Sequence, residues 1–417
     1  MNVSVLANTL IGSEIIKIGH EVNELKSKGA KIANLTIGDF DPSIFPVPSE
    51  LKEEIIAAYE HNHTNYPPAD GILALRETIS GVLSDRYDLE FTTSEILVSG
   101  GSRPLIYATY LALVDSGDTV IYPAPSWNNN HYCHLSSANG IAVETTAETN
   151  FMPTAALLKP HIKGATLLAL CSPLNPTGTM FTSEQLEEIC DLVIEENKSR
   201  TAGEKPLYIM YDQIYSLLTF GKAHINPVSL RPELKDYTVY IDGISKCLAA
   251  TGVRVGWAFG PEKVISKMKA LLTHIGAWAP KAEQVAVARF FADKSGVDQF
   301  LGTFKKQIQG SLDALYNGFQ EMKAAGLAVD AIVPMGAIYL TLQIDYIGKS
   351  TPSGEVLKDS TDVNSYLIRE ALAAFVPFSC FGTDETKSWF RASVGGCSLA
   401  DIQEMLPRIK TALSNLR

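Results

Sequence analysis

Seven short apolar runs punctuate the chain between residues 95 and 259: EILVS (95–99), TVIYP (119–123), IAVET (141–145), TLLALCS (166–172), LYIMYD (207–212), TVYID (238–242) and VRVGWAF (253–259). Most are continuous rather than alternating, which predicts strands buried on both faces. Stretches with apolar residues at helical spacing separate most of them. One, FTSEQLEEICDLVIEEN, opens with Thr182 and Gln185 at the spacing of a capping box. This rhythm predicts an α/β fold, with a mainly parallel sheet covered by helices and ligands at the carboxyl ends of its strands.

The pattern changes after Pro261. PEKVISKMKALLTHIG, KAEQVAVARFFADK and DQFLGTFKKQIQGSLDALYNGFQEMKAAG read as helices, AIVPMGAIYLTLQI as extended chain, residues 363–374 as helix, and WFRASVG as a strand before a terminal helix. The expectation is a smaller α+β domain, joined to the first by a long helix near 265–320, with the first 45 residues folding back onto it. The division is drawn as an N-terminal arm over 1–45, a large domain over 46–285 and a small domain over 286–417. No internal repeat, low-complexity tract or Gly/Ser linker interrupts it.

At 417 residues the chain exceeds one simple core, and 46% hydrophobic with 19% charged residues is globular composition. Lys+Arg 35 against Asp+Glu 46 leaves a net charge of −11, which argues against nucleic acid or an anionic membrane as a partner. MNVSVLANTLIGSEIIKIGHEV lacks the basic start, apolar core and cleavage site of a signal peptide, and no run of eighteen apolar residues occurs. Cys133, Cys171, Cys190, Cys247, Cys380 and Cys397 are dispersed without a CxxC pair, as buried thiols of a reducing compartment would be. A cytoplasmic location is expected. His61 and His63 form an HxH without an evident third ligand, so they read as a loop or helix end, and no metal is expected.

The chemistry gathers where the runs end. EILVS is followed by GGSRPL: Gly100 and Gly101 permit a tight turn, and Pro104 suits the first turn of a helix. The amides of Gly101, Ser102 and Arg103 would then face an anion, although a Gly-Gly helix start is more often plain turn chemistry. After TVIYP comes Trp127, either a core aromatic or a stacking platform. After TLLALCS, Asn175 stands between two prolines in a rigid loop. Asp212 ends LYIMYD, with Tyr215 three residues on; it is either a helix cap or a carboxylate awaiting a cation. TVYIDGISK brings Lys246 to the same edge, and TGVR brings Arg254. Each bland reading is plausible alone, but the coincidence at successive strand ends is not. The set fits a ligand with a phosphate, a flat ring, a basic ring nitrogen, a phenolic oxygen and an aldehyde, which describes pyridoxal phosphate.

NLTIGDFDP (34–42), NYPPADGILALRE (65–77), GGSRPL (100–105), PAPSW (123–127), SPLNPTGT (172–179), YDQIY (211–215), SKCLAATGVRVGW (245–257), PMGAIYL (334–340) and FRASVG (390–395) together resemble the class I/II aminotransferases, aspartate aminotransferase-like enzymes of PLP fold type I. The resemblance covers nearly the whole chain. It implies a seven-stranded, mainly parallel sheet in the large domain, and ping-pong transfer of an amino group between an L-amino acid and a 2-oxo acid. It implies that Lys246 carries pyridoxal 5'-phosphate as a Schiff base and shuttles the α-proton. Asp212 would pair with the ring nitrogen, Tyr215 and Asn175 would bond the phenolic oxygen, and Trp127 would stack on the ring. The amides of Gly101, Ser102 and Arg103 would hold the phosphate together with Arg254, with Ser245 the one nearby hydroxyl. It implies that Tyr66 reaches the phosphate from the neighbouring subunit of a homodimer, that Arg391 clamps the substrate carboxylate in a bidentate fork, and that Gly38 lies in the loop over the substrate. Two positions depart from the family pattern: Gly243 replaces a frequent serine, and Pro104 a usual alanine.

A C–S lyase or a decarboxylase on the same fold would share the cofactor residues; Arg391 and Gly38 favour the aminotransferase. A PLP-sensing regulator would carry a helix-turn-helix domain ahead of the fold, whereas here the fold's own segment begins within the first forty residues. A nicotinamide enzyme is disfavoured by the lack of GxGxxG after the first strand. A dicarboxylate substrate would need a second cation, with Arg103 and His131 as candidates.

Overall fold

The computed structural model describes residues 3–10, 12 and 14–417. Its strands are β1 (Ala33–Asn34), β2 (Ile96–Ser99), β3 (Thr119–Ala124), β4 (Asn139–Glu144), β5 (Leu167–Cys171), β6 (Tyr208–Asp212), β7 (Thr238–Gly243), β8 (Gly256–Phe259), β9 (Val329–Ala331), β10 (Tyr339–Ile344), β11 (Ala373–Ala374), β12 (Val376–Pro377) and β13 (Trp389–Ser393). Seven of them form one sheet in the order β2-β8-β7-β6-β5-β3-β4. The pairs from β7 through β4 are parallel, and β8 runs antiparallel to both its neighbours.

Burial on both faces explains the continuous apolar runs. Leu168 and Leu170 of β5, with Ile209 and Tyr211 of β6, enter one core; Leu167, Ala169 and Met210, between them in sequence, enter the core on the opposite face. The helix Ser183–Ser199 closes its start with the expected capping box, the Thr182 hydroxyl accepting from the Gln185 amide and the Gln185 side chain accepting from the Thr182 amide.

A second core gathers residues of the 331–413 region around the mixed sheet β12-β13-β10-β9. Ala33, Leu35, Phe40 and Phe45 belong to it, and β1 pairs in parallel with β11, so residues 33–45 pack on this lobe, whereas Thr9 Oγ1 lies 3.2 Å from His134 Nε2 in the helix Asn129–Ser136. The connection differs from the single helix expected near 265–320. Three helices run there, Glu262–Ile275, Lys281–Ala292 and Lys294–Ala324. Gly276, at φ +66°, ends the first in the left-handed conformation that glycine adopts readily. The third is 31 residues, about 46 Å at 1.5 Å per residue. Its Leu301 packs in the first core and its Phe304, Ile308 and Leu312 in the second. Residue 285 falls inside the middle helix, whose Ala286, Val287, Phe290 and Phe291 all pack in the first core. His61 is the C-cap of the helix Ser49–Glu60. Among the described residues no two of the six cysteines form a disulfide; Cys171 and Cys380 are only partly buried, unlike the other four. No helix among the described residues is long and apolar enough to cross a membrane.

Candidate active site

The parallel strands deliver their carboxyl ends to one edge. β8 enters from that edge, so Arg254, two residues before it, arrives where the others end. A cavity of about 810 Å³ opens there. Lys246, Asp212, Tyr215, Asn175, Trp127 and Arg391 line it, as do Ser102, Arg103, Ser245, Arg254 and Gly38. Arg391 comes from β13 of the second lobe and Gly38 from the early chain, so the cavity lies where the two cores meet. His131 does not line it, although its neighbour Tyr132 does. Tyr66 is 81% exposed, stacks edge-on against Trp278, and stays outside the cavity.

Two of the expected residues are cations in unusual surroundings. Arg391 is 2% exposed. Its Nη1 donates to Asn175 Oδ1 at 3.1 Å and its Nη2 to the Thr36 carbonyl at 2.5 Å, while the rings of Tyr339 and Phe381 each lie 4.8 Å from its guanidinium carbon. Its Nε is buried without a partner, and no carboxylate pairs with it among the described residues. Burying a guanidinium without a counter-ion is costly unless a ligand anion completes it. Lys246 likewise donates its Nζ to a carbonyl, that of Gly38, rather than to a carboxylate. Burial lowers its pKa to about 8; Asp39 pulls the other way, and Arg391, Arg103 and Arg254 lower it further. About a tenth of the amine is then neutral at pH 7, the form a nucleophile requires.

Asp212, at the last position of β6, has its carboxyl raised to about 6 by burial, against the Ile214 amide and Lys246, which lower it. The Ile214 N–H donates to its Oδ1 at 3.1 Å, so the cap reading is partly fulfilled, but the side chain also faces the cavity. Asn175 gives its Oδ1 to Arg391, which leaves its Nδ2 to donate elsewhere. The Tyr215 hydroxyl lies 2.6 Å from that of Tyr339. One face of Trp127 carries the Arg103 guanidinium at 4.6 Å.

The turn after β2 differs from expectation in one group. At φ +96°, Gly101 points its amide back to the Ser99 carbonyl at 2.6 Å, so this N–H is already engaged. The Ser102 and Arg103 amides, the first two of the helix Ser102–Leu113, have no intrahelical acceptor. Gly101 matters instead for space: a Cβ there would lie 2.2 Å from Arg254 Nη2. Arg254 is braced by donating Nη1 to the Thr251 carbonyl at 2.6 Å and Nη2 to the Gly100 carbonyl at 2.8 Å. The Ser102 hydroxyl donates to the Asp242 carbonyl at 3.1 Å.

Sequence reasoning missed Tyr339 and Asp39. Tyr339 is fully buried between Tyr215 and Arg391. It is also why position 38 is glycine, since a Cβ there would come 2.7 Å from the Tyr339 hydroxyl. Asp39 accepts from Thr251 Oγ1 at 2.7 Å, and its charge opposes the lowering of Lys246. Both sit in motifs already quoted, PMGAIYL and NLTIGDFDP, but neither is at a strand end of the large sheet.

Comparison with known proteins agrees with this geometry. The chain is 28% identical to an aspartate aminotransferase of Rhizobium meliloti (strain 1021), over 97% of this chain and 94% of that one. It is 29% identical to an aspartate aminotransferase of Bacillus sp. (strain YM-2), over 96% of each. A crystal structure of the aspartate aminotransferase from Rhizobium meliloti superimposes with a TM-score of 0.91 at 27% identity and full coverage of both chains. The sequence profile of aminotransferase class I and II matches residues 30–409, and the chain belongs to that family.

Proposed function

We propose that this aminotransferase works with pyridoxal 5'-phosphate held in the 810 Å³ cavity, and that its amino donor is an acidic amino acid. One observation carries the reading: a desolvated amine, Lys246, shares a single cavity with the carboxylate Asp212 and with Arg391, a buried guanidinium that no carboxylate pairs with among the described residues. The donor set fits the cofactor. Two free helix-start amides, the Arg254 guanidinium and the Ser245 hydroxyl suit a phosphate, Trp127 offers a ring face, and Asp212 suits a basic ring nitrogen. Pyridoxal phosphate supplies an electron sink for the carbanion at the substrate's α-carbon. Lys246 would hold the cofactor at its aldehyde carbon, with loss of water, and would move the proton at the substrate's α-carbon. Asp212 would hold the proton at the ring nitrogen. Tyr215 and the Asn175 Nδ2 would donate toward the phenolic oxygen. Arg391 grips the substrate carboxylate, and the Gly38 segment covers it.

An acidic donor is supported by Arg103, whose guanidinium lines the cavity on the Trp127 face with no carboxylate partner among the described residues. The names of the two relatives, both aspartate aminotransferases, agree. A panel of amino donors with 2-oxoglutarate, followed at the cofactor's absorption bands, tests the whole reading. Arg391→Lys is expected to raise KM for every donor, because an ammonium cannot reproduce the fork. Arg103→Met is expected to cost dicarboxylate donors about 10- to 100-fold in kcat/KM, the worth of a charged hydrogen bond, and monocarboxylate donors little. Equal losses for both donor classes would overturn the assignment of Arg103.

We further propose a cytoplasmic homodimer, with Tyr66 serving the partner's phosphate. Its 81% exposure in a single chain supports this, as do exposed Ile56, Tyr59, Leu73 and Ile275. Mixing a Lys246→Ala chain with a Tyr66→Phe chain distinguishes the arrangements. If Tyr66 acts across the interface, the site with intact Lys246 receives intact Tyr66, and activity per such site rises toward wild type. Activity that stays at the Tyr66→Phe level, although heterodimers form, assigns Tyr66 to its own chain or away from the phosphate.

A further inference from the structure

Two buried tyrosines line the cavity, and the mechanism above uses only one of them, Tyr215. The other is Tyr339. Their hydroxyls lie 2.6 Å apart, with ring centroids 5.6 Å apart and planes inclined at 73°. Among the described residues each hydroxyl has the other as its one hydrogen-bond partner. A phenol carries one hydrogen, so one of the two hydrogens lies between the oxygens and the other is left over. The direction of the bond decides which tyrosine keeps the spare one.

The pair is held in place from both sides. Tyr339 opens β10, and the chain leading to it is stitched to the loops that follow β5 and β6. The Met335 and Gly336 amides donate to the Gly178 carbonyl at 3.1 and 3.0 Å, and the Ala337 amide donates to the Leu218 carbonyl at 2.8 Å. The Leu218 amide in turn donates to the Tyr215 carbonyl at 2.8 Å. A Cβ at Gly178 would lie 2.1 Å from the Tyr339 carbonyl oxygen, and one at Gly38 would lie 2.7 Å from its hydroxyl. Charge favours one direction for the bond. The Arg391 guanidinium carbon lies 4.8 Å from the centre of the Tyr339 ring, and a guanidinium can accept no hydrogen. Burial raises both phenols; Arg391 leads the opposition to that rise at Tyr339, whereas Tyr339 itself adds to it at Tyr215. Cys171 adds to the rise at both, and Asp39 adds to it at Tyr339. Tyr339 is raised less and is the more acidic hydroxyl, and of two hydroxyls the one that releases its hydrogen more readily is the better donor.

We propose that Tyr339 is a positioning residue for Tyr215: its hydroxyl donates to the Tyr215 oxygen, which leaves the Tyr215 hydrogen turned into the cavity as the donor to the cofactor's phenolic oxygen. A hydroxyl that accepts one hydrogen bond donates a stronger one, because each bond polarises the next. The reverse direction would draw that hydrogen away from the cofactor. The Tyr339 ring has a separate duty, since its face lies against Arg391. The inference rests on the reading of Tyr215 as a donor to the phenolic oxygen.

The test reads a bound phenol rather than turnover. Apoprotein is loaded with pyridoxine phosphate, which keeps the phenol and the phosphate but offers Lys246 no aldehyde, and the phenol is titrated by its absorbance. In Tyr339→Phe, which keeps the ring beside Arg391, the phenol is expected to titrate about 0.3 pH unit higher, since one hydrogen bond strengthens the next by about 10–30%. A phenol that titrates lower means that Tyr215 donates to Tyr339, and it overturns the proposal; so does one that does not move. Tyr215→Phe is expected to raise the phenol further, and adding Tyr339→Phe to it should change nothing more. A further shift in that background would mean that Tyr339 acts on the ligand directly, which also overturns the proposal. A phenol indifferent to Tyr215→Phe overturns instead the reading of Tyr215 itself. If Tyr339→Phe does not fold, Gly38→Ala presses on the same hydroxyl with both tyrosines intact. The phenol is then expected to move up as well, and one that stays or falls overturns the proposal. In holoenzyme, Tyr339→Phe is expected to lower kcat about twofold, the same increment read as a rate, with KM for the amino donor unchanged. Tyr339→Leu, which also strips the ring from Arg391, should raise KM as well. A Tyr339→Phe enzyme that changes KM alone assigns Tyr339 to Arg391 and overturns its link to Tyr215.

Discussion

Lys246→Ala is expected to abolish transamination, with a loss of about 10⁴-fold or more, since one side chain is asked to act both as nucleophile and as proton carrier. No other amine among the cavity-lining residues can replace it; the remaining cations there are guanidiniums, which do not deprotonate. The variant should still bind some cofactor, because the phosphate contacts of Arg254 and the helix-start amides remain. In wild type, borohydride reduction followed by peptide mass mapping should place the pyridoxyl group on Lys246. A label on any other lysine would refute the assignment. The amine's readiness also has a pH signature. Its pKa is lowered to about 8, so the rate at which apoprotein captures the aldehyde should rise with pH and level off above that value. Asp39→Asn removes the charge that opposes the lowering, and should move the plateau to lower pH.

Lys246 and Asp212 were legible in the sequence because each ends a run of side chains that burial on two faces makes unmistakably apolar. A charge in such a place needs a reason. Arg391 was legible through the motif FRASVG, but its lack of a counter-ion was not, since that depends on everything packed around it. Tyr339 and Asp39 escaped because they come from the other lobe and the early chain, and meet Tyr215 and Lys246 only through tertiary packing. The connection escaped for a different reason. The three helical stretches were legible, with Gly276 and Pro280 as stop and start signals between the first two, but the span 265–320 was still expected to act as one connecting helix, whereas only the third helix passes from one core to the other. The Gly101 amide could not be placed from sequence at all, because the direction of an N–H depends on a φ angle that glycine leaves open.

Asp212→Asn should have the second-largest effect. It leaves a cap for the Ile214 amide, which an asparagine oxygen can still accept, so the strand end should survive. What it removes is the charge beside the ring nitrogen. Breaking a buried ion pair from one side costs about 3–5 kcal/mol, which as a barrier is about 10²- to 10⁴-fold in rate. Asp212→Glu keeps the charge at a slightly wrong distance and should retain more activity. An asparagine variant as active as wild type would mean that Asp212 is a strand-end cap and nothing more. Comparing kcat with KM separates a lost electron sink, which lowers kcat, from a loosened pocket, which raises KM.

The cavity's closing contacts join distant parts of the chain. Lys246 meets Gly38 across 208 positions, Arg391 meets Asn175 across 216, and Arg391 meets Thr36 across 355. This has a consequence in time. Synthesis runs at about 5–20 residues per second, so Lys246 is made roughly 7–30 seconds before Arg391 exists. During that interval the large sheet can form with its amine and its phosphate loop in place, while the wall that grips a substrate is still unmade. If pyridoxal phosphate is the cofactor, the nascent chain is expected to bind it before it can transaminate, and cofactor captured at that stage would stabilise the half-built site by mass action while the rest of the chain arrives.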